Sequence, residues 1–309
     1  MGKQLFLVTD GPHITKNYHS TLIMLMVILS LVPAIVAAAI NFGAMALLVL
    51  LVSVVSFYGF DIGFNYLFYK KYDFTDISSL LSGLLFGMTL PVSVPLYYPV
   101  IGALFAVLFI KMLFGGTGKN LFNPAASARA LLGVLFAGFS LTLFTLTADG
   151  ASMLSPITYF ADGDYSAYTL TSMFLGSVPG GVGTTSILCL AIGALWLIIA
   201  KVIDYKIPLF AIIGFVAITI CFKGAIAILP FIMTGSFFFA AIYMATDYVS
   251  SPSTEWGSVV YGLIFGVLSA LFRVFGILGE TGVFVALLIV NSLSPLLDKM
   301  FQPRPIGWR

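Results

Sequence analysis

The sequence predicts an all-α, polytopic membrane protein of about ten transmembrane helices in two inverted five-helix halves. Three observations predict it. Of the 309 residues, 60% are hydrophobic and 8% charged, and a water-soluble chain of this size needs far more charge on its surface. When the apolar runs are threaded alternately across a bilayer, twelve of the fourteen Lys and Arg fall on one side, as the positive-inside rule requires. One long loop without Lys or Arg, residues 148–183, then divides the spans five and five, the layout of inverted repeats.

In chain order, a cytoplasmic segment (1–20) carries Lys3, Asp10, His13 and Lys16; His13 and His19 read as interfacial. The first span covers 21–41. It contains PAIVAAA, which resembles a signal cleavage site, but the run exceeds the roughly 7–15 apolar residues of a signal peptide, and further spans follow. The next spans fall at 43–66, 77–92, 96–114 and 125–147, completing a first membrane half at 21–147. The third is short and stopped by Pro91 and Pro95. After the loop come spans at 184–203, 206–223, 226–246, 257–275 and 280–298, a second half at 184–298. The last of them contains Asn291 and Pro295, and 299–309 is a cytoplasmic tail.

With the N-terminus inside, the inner loops and span ends collect Lys3, Lys16, Lys70, Lys71, Lys111, Lys119, Arg129, Lys201, Lys206, Lys299, Arg304 and Arg309; Lys223 and Arg273 fall outside. The loop at 148–183 carries Asp149, Asp162 and Asp164 and is therefore external. Its glycine-rich SVPGGVGTTS reads as a flexible turn before the sixth span, a phosphate cradle being the other reading. The net charge of +2 says nothing about partners; no nucleic-acid partner is expected.

Polar residues inside apolar sequence mark candidate chemistry. Residues 114–130 read FGGTGKNLFNPAASARA, with Gly115, Gly116, Gly118, Asn120, Asn123 and Pro124. A helix does not run cleanly through them. At membrane depth such backbone survives where it is packed in protein or lines a cavity, so the segment reads as a polar pocket wall or as a loop leading into a helix near Pro124. Asp61 and Asp247 are candidates for ion handling or cofactor contact, the other readings being interfacial solvation or pairing with an inside lysine. Asp73 and Asp76 flank the third span. Cys189 and Cys221 sit in apolar runs without CxxC spacing and read as small buried hydrophobes, so no complete zinc or iron–sulfur site is expected from this chain. The halves also echo each other. Residues 88–118 and 244–282 share a proline-containing break, one apolar run, a cation and a glycine turn, after which NLFNP (120–124) answers NSLSP (291–295).

FGGTGKNLFNPAASARA, ATDYVSSP, SGLLFGMTLPVSVPLYYPVIG and the acidic outer loop together resemble the family of membrane subunits that includes RnfD and NqrB. The resemblance covers about residues 15–300, and the chain does not carry the longer N-terminal extension of the NqrB branch. It implies a subunit of an ion-translocating (Na⁺ or H⁺) ferredoxin:NAD oxidoreductase in the bacterial inner membrane, multi-pass, with both termini cytoplasmic. Its partners would be the other Rnf subunits (A, B, C, E and G), among them an exported flavoprotein, besides membrane lipid. It also implies FMN esterified within the motif Asp, Ser/Thr–Gly–Ala–Thr. Asp149 and Ser152 match; Met153 and Leu154 replace Gly–Ala, and Ser155 stands where Thr is expected, with Thr158 as the fallback acceptor. A second flavin, riboflavin in related subunits, would be held non-covalently, with Asn120, Asn123 and Asp247 at its polar edge and Phe114 and Phe122 on its ring; Arg129 reads as an interfacial anchor. The implied activity is electron relay. No G-x-G-x-x-G follows a strand, which leaves NAD and ferredoxin to other subunits. Inverted five-span repeats also build channels and secondary transporters, the competing class; a purely structural scaffold is the third.

Overall fold

The computed structural model describes residues 20–70, 77–116, 118–136, 143–145 and 152–302. Helices α1 (Ser20–Phe42) and α2 (Ala44–Tyr69) are hinged at Gly43, whose φ of 73° suits glycine. The short α3 (Ser78–Thr89) is followed by α4 (Tyr97–Phe105), which continues as a π-helix over Ala106–Met112. Then come α5 (Pro124–Leu135) and, in the outer loop, strands β1 (Leu143–Thr145) and β2 (Ser152–Leu154) with helices α6 (Pro156–Ala161) and α7 (Leu170–Leu175). The second half holds α8 (Ile187–Ile199), α9 (Lys206–Lys223), α10 (Ile228–Met233) and α11 (Phe237–Phe239). A π-helix at Ala240–Met244, α12 (Glu255–Val274) and α13 (Gly282–Met300) complete it.

Five of these helices, α1, α2, α9, α12 and α13, are long and apolar enough to cross a membrane, and Ala225–Met233 with Phe237–Met244, bent by 70° between them, is a broken span or a re-entrant loop. Four shorter apolar helices, α3, α4 with its π-helical end, α5 and α8, stand where the other spans are expected. The fifth expected span, 125–147, is the clearest departure, since α5 ends at Leu135. The chain is a multi-pass, all-α membrane protein. Its β structure among the described residues is one antiparallel pair, with Leu143 opposite Leu154 and Thr145 opposite Ser152.

Large apolar side chains such as Leu29, Ile40, Leu195, Ile199 and Ile226 point outward from the bundle. In water such a surface would aggregate; in lipid it is solvated. Between helices, small residues set the approach. Gly262 and Gly266, one turn apart on α12, lie against α9, where a Cβ on Gly266 would come 2.0 Å from the Ala211 carbonyl oxygen. Gly83 and Gly87 on α3 meet Val54 and Ser53 of α2 in the same way.

Two expectations are corrected here. The glycine-rich run before α8 is not a flexible turn. It is buried, with the N–H groups of Val182 and Gly183 donating to the carbonyls of Leu90 and Met88, both at 2.8 Å. These bonds satisfy backbone at the break between α3 and α4. Cys221 is exposed on the apolar surface and Cys189 is half-buried. Cys189 packs against the core without being fully covered, and Cys221 shows that the lipid-facing side of a span accepts a small apolar side chain equally well.

Candidate functional site: a polar cleft between the two halves

The segment 114–124 folds as the sequence suggests, around two features. The π-helical end of α4 presents Lys111, and the turn after it uses Gly115, Gly116 and Gly118, all with φ between 83° and 100°. Asn123 then caps α5. Its Oδ1 accepts from the Ala126 N–H at 3.1 Å, and Pro124 occupies the first helical position, where a missing N–H costs nothing.

Above this turn lies a cleft of about 810 Å³, counting its open mouth. The first half contributes the start of α1 (Ile23, Met24, Val27), the start of α3 (Ser78, Leu81, Ser82), Lys111, Asn120 and Asn123. The second contributes Leu197 of α8, Val202 and Ile203 after it, then Ile242, Tyr243, Thr246, Asp247 and Tyr248 from the second π-helix and the turn beyond it. Both π-helical stretches thus end at the cleft. π-Helices are uncommon and gather at functional sites.

Three of the expected residues meet here. Asp247 accepts from Ser250 Oγ at 3.2 Å and from Asn123 Nδ2 at 3.5 Å, and Asn123 Nδ2 also donates to the Met244 carbonyl. Both ends of the Asn123 amide are therefore engaged, so it positions Asp247 instead of reading a ligand. Asn120 donates to the Phe122 carbonyl at 3.0 Å and reaches the cleft from its rim. Phe114 and Phe122 pack on each other with centroids 6.4 Å apart, and neither lines this cleft. The pairing of NLFNP with NSLSP is physical. With the Asn291 amide oriented so that its oxygen faces Asn123, it accepts that residue's N–H at 3.0 Å.

Asp61 is buried and paired with Lys111 at 2.9 Å, and Lys111 also donates to Ser78 Oγ at 2.9 Å and Ser79 Oγ at 2.7 Å. The sequence named this pairing as one reading of Asp61, but counted Lys111 only as an orientation marker. A lysine inside the run FIKMLF was the available signal. Ser82, Thr246 and Tyr243 offered none. Arg129 is not an interfacial anchor. It is fully buried, donating from Nε to the Thr89 carbonyl at 3.3 Å and lying 5.5 Å from the Phe284 ring centroid. Its partners come from α3 and α13, which no local pattern places beside α5.

The outer-loop candidates sit apart from the cleft. Asp149 lies outside the described residues, and Ser152 is the first residue of β2. Ser155 is 3% exposed and caps α6. Thr158 Oγ1 donates to the Ser155 carbonyl at 2.6 Å. Farther along, hydrogen bonds from the Ser166 hydroxyl and then its N–H hold the exposed Asp164 carboxyl below the usual carboxylate range.

The profile of the NQR2, RnfD, RnfE family matches residues 7–307. The chain belongs to this family. Among similar proteins are the D subunits of two complexes, the proton-translocating ferredoxin:NAD(+) oxidoreductase of Clostridium ljungdahlii and the Na(+)-translocating ferredoxin:NAD(+) oxidoreductase of Acetobacterium woodii. The first is 34% identical over 325 residues, 99% of this chain and 98% of its own. The second is 31% identical over 304 residues, 97% and 95%. The B subunit of the Na(+)-translocating NADH-quinone reductase of Chromohalobacter salexigens is 34% identical over 216 residues, 65% of this chain and 52% of its own.

The flavins that the resemblance implies meet two different surroundings. The cleft fits one. Its wall is mainly apolar with a few convergent polar groups, as a flat aromatic ring with one polar edge requires. Ser155 does not fit the other. Its Oγ is buried and donates to Glu280 Oε1 at 2.8 Å, so a phosphate ester there would face a buried carboxylate.

Proposed function

We propose that this chain is the flavin-carrying membrane subunit of an ion-translocating ferredoxin:NAD⁺ oxidoreductase, relaying electrons through the membrane part of the complex. The observation that carries the reading is the cleft. The family's FGGTGKN–FNPA segment and the ATDYVSSP turn, far apart in sequence, meet there around Asn120 and Asp247. Full-length similarity to two D subunits, one named as proton- and one as Na⁺-translocating, supports the assembly and leaves both ions open.

A bound flavin supplies the one- and two-electron chemistry. The protein supplies the rest. Asn120 and Asp247 offer polar atoms to the ring's edge; an amide both donates and accepts, and a carboxylate accepts. Asn123 holds Asp247 in place. Met24, Leu81, Ile203 and Ile242 give the apolar walls that exclude water and fix the ring plane. Lys111, already paired with Asp61, adds no net charge to the wall.

Threaded by charge, the cleft opens toward the cytoplasm of a bacterial inner membrane, with the loop of α6 and α7 outside and both termini inside. The remaining Rnf subunits would complete the enzyme, handling ferredoxin and NAD⁺ and including the exported flavoprotein.

Replacing Asn120 with Leu tests the site. It removes one polar partner of the ligand, worth roughly 1–3 kcal/mol, and keeps the α5 cap. The intact complex should then lose non-covalent flavin in equilibrium dialysis while its subunits stay assembled. Flavin retained at the parental level would exclude Asn120 from the site.

A further inference from the structure

We infer that Ser155 and Glu280 form a latch that ties the outer loop to the break in the α10–α11 span, and that in this chain the latch stands in place of a flavin ester. The inference is independent of the cleft.

Glu280 is 4% exposed and lies in a short 3-10 turn (Gly279–Thr281) before α13. Its two oxygens face different parts of the chain. Oε1 accepts from Ser155 Oγ at 2.8 Å, and Oε2 accepts from the Ser236 N–H at 3.2 Å. Ser236 precedes α11, so the carboxylate sits at the start of that half-helix. Arg273 answers at the other half. Its Nη1 donates to the carbonyls of Phe231 and Thr234, the latter at 3.0 Å, where α10 ends. An anion at a helix start and a cation at a helix end are each favourable, and a break inside a membrane needs both sets of backbone groups satisfied.

Gly235, at the break, shows how closely these groups meet. A Cβ there would lie 2.6 Å from Glu280 Oε2 and 2.7 Å from both Arg273 Nη2 and Ile157 Cδ1. Ile157 belongs to α6, so the outer loop packs into the same point that Ser155 binds. Arg273 Nε and Nη2 are buried without hydrogen-bond partners. Their charge is balanced across Gly235 by Glu280, and removing that carboxylate would leave it uncompensated.

The departure in sequence agrees with this geometry. Where the family motif has Gly–Ala, this chain has Met153 and Leu154, which pair with Phe144 and Leu143 in a two-stranded ribbon. Gly and Ala are poor strand residues. The ribbon delivers the next residue, Ser155, to Glu280. A phosphoester at that oxygen would remove the donated hydrogen and set a second anion against the carboxylate in a buried place.

The test uses the whole complex, produced together with its FMN transferase. Mass spectrometry of the peptide bearing Ser155 should show it unmodified; this reading needs no variant and no refolding. Hydrogen exchange should then show the amides of 157–161 and of Ser236 opening about tenfold faster in Ser155→Ala, the change expected when one hydrogen bond to a charged acceptor is lost. Glu280→Gln, which keeps an acceptor, should be milder than Glu280→Ala, and Ser155→Ala combined with Glu280→Ala should open no faster than Glu280→Ala alone. A mass of FMN less water on the Ser155 peptide, absent from Ser155→Ala, would overturn the latch. So would exchange at 157–161 that ignores the Ser155 substitution.

Discussion

Lys111 carries an ammonium group into the wall of the cleft, and Asp61, Ser78 and Ser79 receive its hydrogens. Lys111→Met would strip Asp61 of its cation in a buried position, a loss of about 3–5 kcal/mol. Adding Asp61→Leu should recover most of it, because apolar residues often replace a buried pair at little cost. Thermal unfolding of the detergent-solubilised subunit checks both, and a Lys111→Met protein as stable as its parent would contradict the pairing. Much at this scale was legible in the sequence. Asn120, Asn123, Asp247 and Asp61 stand out as polar groups in apolar surroundings. Their division of labour did not, because Asn123 as the residue that holds Asp247 and Asp61 as lysine partner depend on contacts 124 and 50 positions away. Ser155 was visible only as a motif position. Its partner Glu280 lies 125 residues on, and no local pattern links them.

At the scale of elements, the ten apolar runs foretold the order of the helices but not their lengths. Runs all read as spans became the full-length α2 and the short helices α3 and α5. A stretch buried inside protein can be apolar without crossing anything, and Pro91, Pro95 and the glycines after α4 stop helices wherever they fall. The broken α10–α11 span was read as continuous because its break is only Thr234, Gly235 and Ser236. The close pairing of α9 with α12 rests on Gly262 and Gly266. Gly266→Val would drive a side chain into the Ala211 carbonyl and separate the two helices, costing roughly 3 kcal/mol or more. Blue native electrophoresis should show loss of the assembled complex; normal assembly would mean that the contact is looser than the geometry indicates.

At the scale of the whole molecule, the fold sorts polar groups by face. The cleft, Lys111 and Asp247 gather at element ends that the charge pattern assigns to one side, and Ser155, Glu280 and the α6–α7 loop gather at the other. The inverted arrangement predicts that a reporter at Asp162 reads external and one after Arg309 reads cytoplasmic; both on one side would end this topology. The central claim is that the cleft between the halves holds a flavin, and a steric variant tests it most directly. Ser82 lines the cleft from α3, and Ser82→Trp puts an indole into it while leaving Asn120, Asp247, Lys111 and Asp61 themselves unsubstituted. The measurement is the flavin released by acid from the assembled complex, counted per complex. The account predicts that Ser82→Trp releases one equivalent less than the parent, with covalently bound flavin in the protein pellet unchanged. Equal release from the two complexes would contradict it.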